Sequence, residues 1–277
     1  MSSELESAVS RHYGRGDIKT RILDALKDAG ADLDRLKLED LAPVDEFHIG
    51  GRAATEYILA KIPLGKDHHV LDIGCGIGGA ARFVASASGC RVTGIDLTPE
   101  YIDAANALTE RVGLADRVRF ETASALALPF EDRSFDAAIT IHVAMNIKDR
   151  PALYREAARV LKPGAMFCVY DVMKCRSDDV SYPTPWADTP ATSHLTSPDE
   201  MQALLKEAGF SVVEVEDRTS AGIEFFRQRL APSPGGPPPV GLHLLLGPQA
   251  RVKLENVLKG LEDGSLAPVI MIARRAA

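Results

Sequence analysis

From residue 70 onward, short apolar runs alternate with longer stretches whose apolar positions recur every three or four residues, the pattern of parallel strands joined by crossover helices. Runs at 70–73, 91–96, 118–122, 136–141, 165–172, 211–217 and 268–273 are the expected strands. Between the fourth and fifth, residues 151–161 carry Leu153, Ala157 and Val160 at helical spacing, and Lys162-Pro163-Gly164 stops them. The first sixty residues read as helical. Asp17 caps a helix carrying Ile18, Ile22, Leu23 and Leu26, with Gly30 as its stop, and residues 50–61 form another, with Tyr57, Ile58 and Ile62 on one side and Pro63 ending it. Two stretches break the alternation: 174–198, with Tyr182, Pro183, Pro185, Trp186 and Pro190, and 219–247, with a Pro-Ser-Pro-Gly-Gly-Pro-Pro-Pro run at 232–239. Both are expected to be long loops, the proline run a stiff surface linker.

The expected fold is therefore α/β: a seven-stranded, mostly parallel sheet with helices on both faces and an N-terminal helical cap. The cap spans 1–62, a core 63–217, an excursion or lid 218–247, and a last helix and strand over 248–277 complete the sheet. At 277 residues, with 45% hydrophobic and 26% charged, the chain has the apolar surface for a full core. Its net charge of −7 disfavours nucleic acid or an anionic membrane as partner. The polar, acidic first ten residues lack the apolar core of a signal peptide, and the apolar run at 166–170 is too short to span a bilayer. A cytoplasmic location without membrane insertion is the expectation. Cys75, Cys90, Cys168 and Cys175 show no CxxC spacing, and adjacent His68 and His69 diverge on any regular element, so no metal is expected.

The strongest local signal is Val70-Leu71-Asp72-Ile73-Gly74-Cys75-Gly76-Ile77-Gly78-Gly79, a strand entering a glycine turn and then a helix from Ala80. Such glycines let backbone approach a nucleotide-like ligand. Gly74, Gly76 and Gly79 also fit the dinucleotide pattern, but Asp72 would repel a pyrophosphate and attract an ammonium; alternatively it only satisfies loop amides. Asp96 ends the second strand about 20 residues on, where a carboxylate can accept from both ribose hydroxyls. It can equally cap the helix that starts at Thr98-Pro99-Glu100.

On these residues the chain resembles class I S-adenosylmethionine-dependent methyltransferases, Rossmann-like enzymes, in the branch similar to ubiquinone/menaquinone methyltransferases and to sarcosine/dimethylglycine N-methyltransferases. The resemblance covers residues 70–210 and implies S-adenosylmethionine as cofactor. It assigns Asp72 to the methionine moiety and Asp96 to the ribose, with Gly74, Cys75, Gly76 and Leu97 around them. The family's acid before Ala-x-x-Leu-Pro-Phe, near the adenine, is replaced here by Ser124, followed by Ala125, and a serine oxygen could still accept a hydrogen bond. The fourth strand ends at Ile141, and the loop after it, with His142, Met145 and Asn146, faces cofactor and acceptor in such enzymes. Tyr13 stands where relatives carry an aromatic near the cofactor, or it simply anchors the N-terminus.

Methyl transfer from a sulfonium is a direct displacement, so alignment and water exclusion matter most. Where a base is needed, His142 is the first candidate, the alternative being a packing histidine. The 44–51 stretch, with Glu46 and His48, either closes over the site or is an ordinary turn. Trp186 and Tyr182 belong to a loop that either forms a lid or packs on the core. Arg218 and His243 are placed in the same cavity from the second excursion. The acceptor is a small molecule, with an amine nitrogen favoured by resemblance and quinol, phenol or carbon acceptors as alternatives. A rival NAD-dependent oxidoreductase would use the Tyr57/Lys61 or Tyr170/Lys174 pair, and a non-catalytic S-adenosylmethionine-binding protein is a third possibility. Oligomeric state is not legible.

Overall fold

The computed structural model describes residues 2–14, 16–176, 180–232 and 238–277. Four helices come first: α1 (Ser2–Tyr13), α2 (Ile18–Asp28), α3 (Leu38–Asp45) and α4 (Gly51–Leu59). The alternating region follows as β1 (His69–Ile73), α5 (Gly79–Ser88), β2 (Arg91–Asp96), α6 (Pro99–Arg111), β3 (Val118–Thr122), β4 (Phe135–Ile141), α7 (Arg150–Val160), β5 (Leu161–Lys174), α8 (Pro198–Glu207) and β6 (Phe210–Asp217). The chain ends with α9 (Thr219–Leu230), α10 (His243–Leu246), α11 (Ala250–Glu262) and β7 (Leu266–Arg275).

The seven strands lie in the order β3-β2-β1-β4-β5-β7-β6. All pairings are parallel except those of β7, which runs antiparallel to both β5 and β6. This is the expected Rossmann-like sheet. Its central strands are continuous apolar runs because both faces are covered. Leu71, Ile73, Phe167 and Val169 pack with Leu153 and Tyr154 of α7 on one face. Val70, Val92, Ile139 and Cys168 pack with Val84 of α5 and Ile102 of α6 on the other. The order reverses between β1 and β4, and a crevice opens beyond the carboxyl ends of strands at such a switch point.

Two sequence expectations are corrected. The Lys162-Pro163-Gly164 turn does not precede the fifth strand but lies inside β5, as an irregularity between the Phe135↔Leu161 and Ala137↔Met166 pairs. The second excursion begins not as loop but as α9, which buries Gly222 and Phe226 four residues apart and packs beside α11. Residues 233–237 of the proline run lie outside the described residues. The helical reading of the first sixty residues holds, although α1 and α3 were not delimited within it, because α3 is short and α1 buries only Val9 among its described side chains. As anticipated, Asp17 caps α2 through its side chain, which accepts from Thr20 N. Among the described residues no helix is long and apolar enough to cross a membrane.

Candidate active site

A cavity of about 970 Å³ lies over the switch point. At its floor the chain leaves β1 through Gly74, whose φ is 78° and where a Cβ would stand 2.3 Å from Val143 Cγ2. Only glycine allows the β1 and β4 loops to approach so closely. Gly74 N and Cys75 N both donate to Ile95 O, at 2.8 and 2.9 Å, which pins the turn to β2. Gly76, at φ 54°, donates its N–H to Asp96 Oδ2 at 3.0 Å.

Asp72 is 2% exposed, and its Oδ2 has no hydrogen-bond partner. Burial, followed by the charges of Asp96 and Glu46, pushes its carboxyl up to about 7. An enclosed, underbonded carboxylate is a seat for a cation. Asp96 lines the same cavity; its Oδ1 accepts from Thr98 N at 2.9 Å, so the helix-start role and the wall position coexist in one residue. Burial raises its pKa against the opposing pull of those backbone hydrogen bonds.

His142 follows β4 with φ 55°, a left-handed conformation that a histidine adopts only under constraint. The constraints are its own N–H to Tyr170 O at 2.6 Å and Val143 N to Asp171 Oδ1 at 2.8 Å. Both ring nitrogens of His142 are buried without partners, and the ring lies 6.0 Å from that of His48. Burial and the neighbouring His48 drive its pKa well below 6.5, leaving a neutral imidazole.

His48 also reaches the wall, and burial lowers its pKa to about 4. Its Nε2 lies 3.0 Å from Gly51 O, and a carbonyl only accepts, so Nε2 carries the proton and Nδ1 the lone pair. Thr55 Oγ1 is 3.1 Å from the same nitrogen and donates to Glu46, whose carboxylate also pairs with Arg52. Glu46 therefore stands behind His48 and not on the cavity wall, which corrects its placement as a catalytic group.

Of the other expected residues, Tyr13, Cys75, Leu97, Ser124, Ala125, Ile141, Met145, Asn146 and Trp186 all line the cavity. Asn146 is a strut more than a free substrate contact. Its Oδ1 accepts from Tyr13 at 2.9 Å, and its Nδ2 donates to Trp186 O at 2.7 Å and Thr192 O at 3.2 Å. Besides Glu46, three expected residues lie off the wall. Tyr182 packs behind Trp186 in the apolar cluster. Arg218 stacks 4.0 Å from the Tyr57 ring centroid and pairs with Glu216 at 2.7 Å, held at the outer end of β6. His243 gives way to Leu242 and Leu245, because successive helical residues point about 100° apart. The tyrosines of the rival dehydrogenase pairs are also engaged elsewhere, Tyr57 with Glu216 and Tyr170 with Ile49 O.

Sequence reasoning missed several groups. Glu4 and Glu6 come down from α1, and Ser124 Oγ donates to Glu6 Oε1 at 2.5 Å. Phe225 and Phe226 come from the unexpected α9. Asp45 reaches the wall and pairs at 3.1 Å with Arg82, which is fully buried and also bonds Ile77 O, Ala105 O and Thr109. An arginine among the alanines of α5 was the available signal for that clamp.

Residues 71–169 match the family described as methyltransferase domain. Methyltransferase GfsG of Streptomyces halstedii is 32% identical over 64% of this chain and 65% of its own length, just under two thirds. O-methyltransferase resE of Aspergillus sclerotiorum is 32% identical over 65% of the chain and 68% of its own length. In fold, the chain is similar to geranyl diphosphate C-methyltransferase from Streptomyces coelicolor A3(2), with a TM-score of 0.73 at 19% identity over 98% of each chain. The chain belongs to the methyltransferase-domain family, the enzymes that use S-adenosylmethionine as methyl donor.

Proposed function

We propose that this chain methylates a hydroxyl oxygen on a largely apolar small molecule, with His142 receiving the hydroxyl proton. The observation that carries the reading is His142 itself: a neutral imidazole with both nitrogens free of protein partners, on the wall of the cavity that also holds Asp72 and Asp96. Names among the relatives span O-, N- and C-methyltransferases, so similarity alone leaves the acceptor atom open.

The cofactor fits the residues present. The underbonded Asp72 suits the positive amino-acid end, Asp96 retains lone pairs for the ribose hydroxyls, and the Gly74–Gly76 turn leaves room for both. S-adenosylmethionine, when bound, supplies an electrophilic methyl group on its sulfonium. The remaining work falls to the chain: to place the acceptor oxygen in line, exclude water and hold the departing proton.

The acceptor end is apolar. Ile49, Met145 and Trp186 form one cluster with Phe226 of α9 and Val257 of α11, next to the two histidines. The wall's carboxylates, Glu4, Glu6, Asp45, Asp72, Asp96 and Asp149, come from α1, the 45–49 segment, the strand ends and the start of α7; α9, α10 and α11 contribute none. An ammonium would find no counter-charge there, which favours a neutral hydroxyl over the amine suggested by resemblance. A screen of phenols, aliphatic alcohols and amines with labelled donor tests this. Turnover is expected on a hydroxyl acceptor, and His142→Ala should lower kcat by roughly 10²–10⁴ while S-adenosylhomocysteine still binds. Methylation of amines alone, or an unaffected His142→Ala, would remove the proposal.

A further inference from the structure

The cavity beyond Asp96 is walled by Ala123, Ala125, Leu126 and Ile147, surfaces that suit a flat purine but offer its edge no side-chain hydrogen bond. Among the polar side chains that line the cavity here, Ser124 and Glu6 meet directly, the hydroxyl against the carboxylate. Ser124 is largely committed: its one proton goes to Glu6 Oε1 at 2.5 Å, and one lone pair accepts from Leu126 N at 3.1 Å. A carboxylate has about four acceptor sites, so Glu6 keeps most of its capacity. It is half-buried, on a helix pinned at its far end by Tyr13 to Asn146 at 2.9 Å. The acid absent from the end of β3 thus reaches the same spot from a helix 118 residues away in sequence.

We propose that Glu6, oriented by Ser124, accepts from the exocyclic amine of the donor's adenine, making α1 the element that selects the base. This rests on the donor assignment above. A carboxylate accepts and cannot donate, so it favours an amine at that position and disfavours a carbonyl oxygen.

The test is calorimetric titration of the full chain with S-adenosylhomocysteine and with S-inosylhomocysteine, in which an oxygen replaces the amine. The wild type should prefer the adenine compound by about tenfold or more. In Glu6→Gln, whose amide both donates and accepts, that preference should shrink to near unity or invert. Glu6→Ala should lose it as well, and adding Ser124→Asp to Glu6→Ala should restore it by returning a carboxylate to the end of β3. Because each result is a ratio within one protein, general weakening or partial misfolding cancels. A wild type that binds both compounds equally, or a preference that survives in both Glu6→Gln and Glu6→Ala, overturns the role of Glu6 and leaves the donor assignment intact. Binding of neither compound by the wild type removes the donor assignment and this inference with it.

Discussion

Asp72 is a carboxylate enclosed by protein, and its position sets binding against stability. Its pKa rises from 3.8 to about 7, first through burial and then through Asp96 and Glu46. A folded state that holds a proton the unfolded chain has released loses stability as pH climbs from the unfolded to the folded pKa, here from about 4 to about 7. Above that window the ionised carboxylate is retained at a cost, which a bound cation offsets. Asp72→Asn is therefore expected to stabilise the ligand-free protein at pH 8 by on the order of 1–2 kcal/mol, and to make little difference at pH 4. The same substitution should weaken S-adenosylmethionine more than its uncharged-sulfur product. Urea denaturation at the two pH values and paired titrations measure both effects; a loss of stability at pH 8 would show that Asp72 serves only to hold the loop. The role of such a residue is legible in sequence because strand, acid and glycines are contiguous. Glu6 and Ser124 were not legible as a pair, since their contact spans 118 positions and no local pattern records it.

Asn146 joins α1, the loop after β4 and the excursion at 182–196, and His12 of α1 adds contacts to Asp188 and to Pro185 O, each at 3.1 Å. The Asn146 amide joins Tyr13, Trp186 O and Thr192 O, while His194 N donates to Met145 O at 2.7 Å beside it. Asn146→Ala leaves a phenol and two carbonyls without partners, so a loss of about 1–3 kcal/mol is expected. Hydrogen exchange in α1 and the 182–196 segment should quicken far more than in β1 or β4; uniform acceleration would mean that the strut does not act locally. The contrast between these elements also explains what periodicity could read. Strands β1, β2, β4 and β5 declare themselves because a sheet covered on both faces demands largely apolar runs, and the edge strand β3 by its alternation of buried Val118 and Phe120 with polar residues. By contrast α9 sits between a strand end and a proline run, buries only Gly222 and Phe226, and so resembles a polar excursion. Its Phe225 and Phe226 line the cavity, so this part of the wall was not legible, whereas the glycine turn and Asp72 lie together in one contiguous stretch of sequence.

At the scale of the molecule, the N-terminal helices and the sheet share one hydrophobic continuum. Ile22, Leu41 and Val44 pack with Ile77, Tyr101 and Leu108, so apolar contact crosses residue 62 without a break. The Asp45–Arg82 pair is the polar rivet in that contact: both side chains are fully buried, and burial raises Asp45 while Arg82 pulls it down. Removing one partner from such a pair strands the other charge in low dielectric, a far larger penalty than the pair is worth in net terms. Arg82→Met should therefore destabilise the protein by roughly 3–5 kcal/mol, and adding Asp45→Asn should recover part of that loss. Trp186, the only tryptophan, is buried in the cluster with Phe226 and Val257 and reports on that region by fluorescence, while circular dichroism reports on all the helices. The two signals should follow a single transition in wild type and in Arg82→Met, with only the midpoint displaced. If Arg82→Met instead splits them, the cap and the sheet fold as separate units and the rivet joins domains that stand alone.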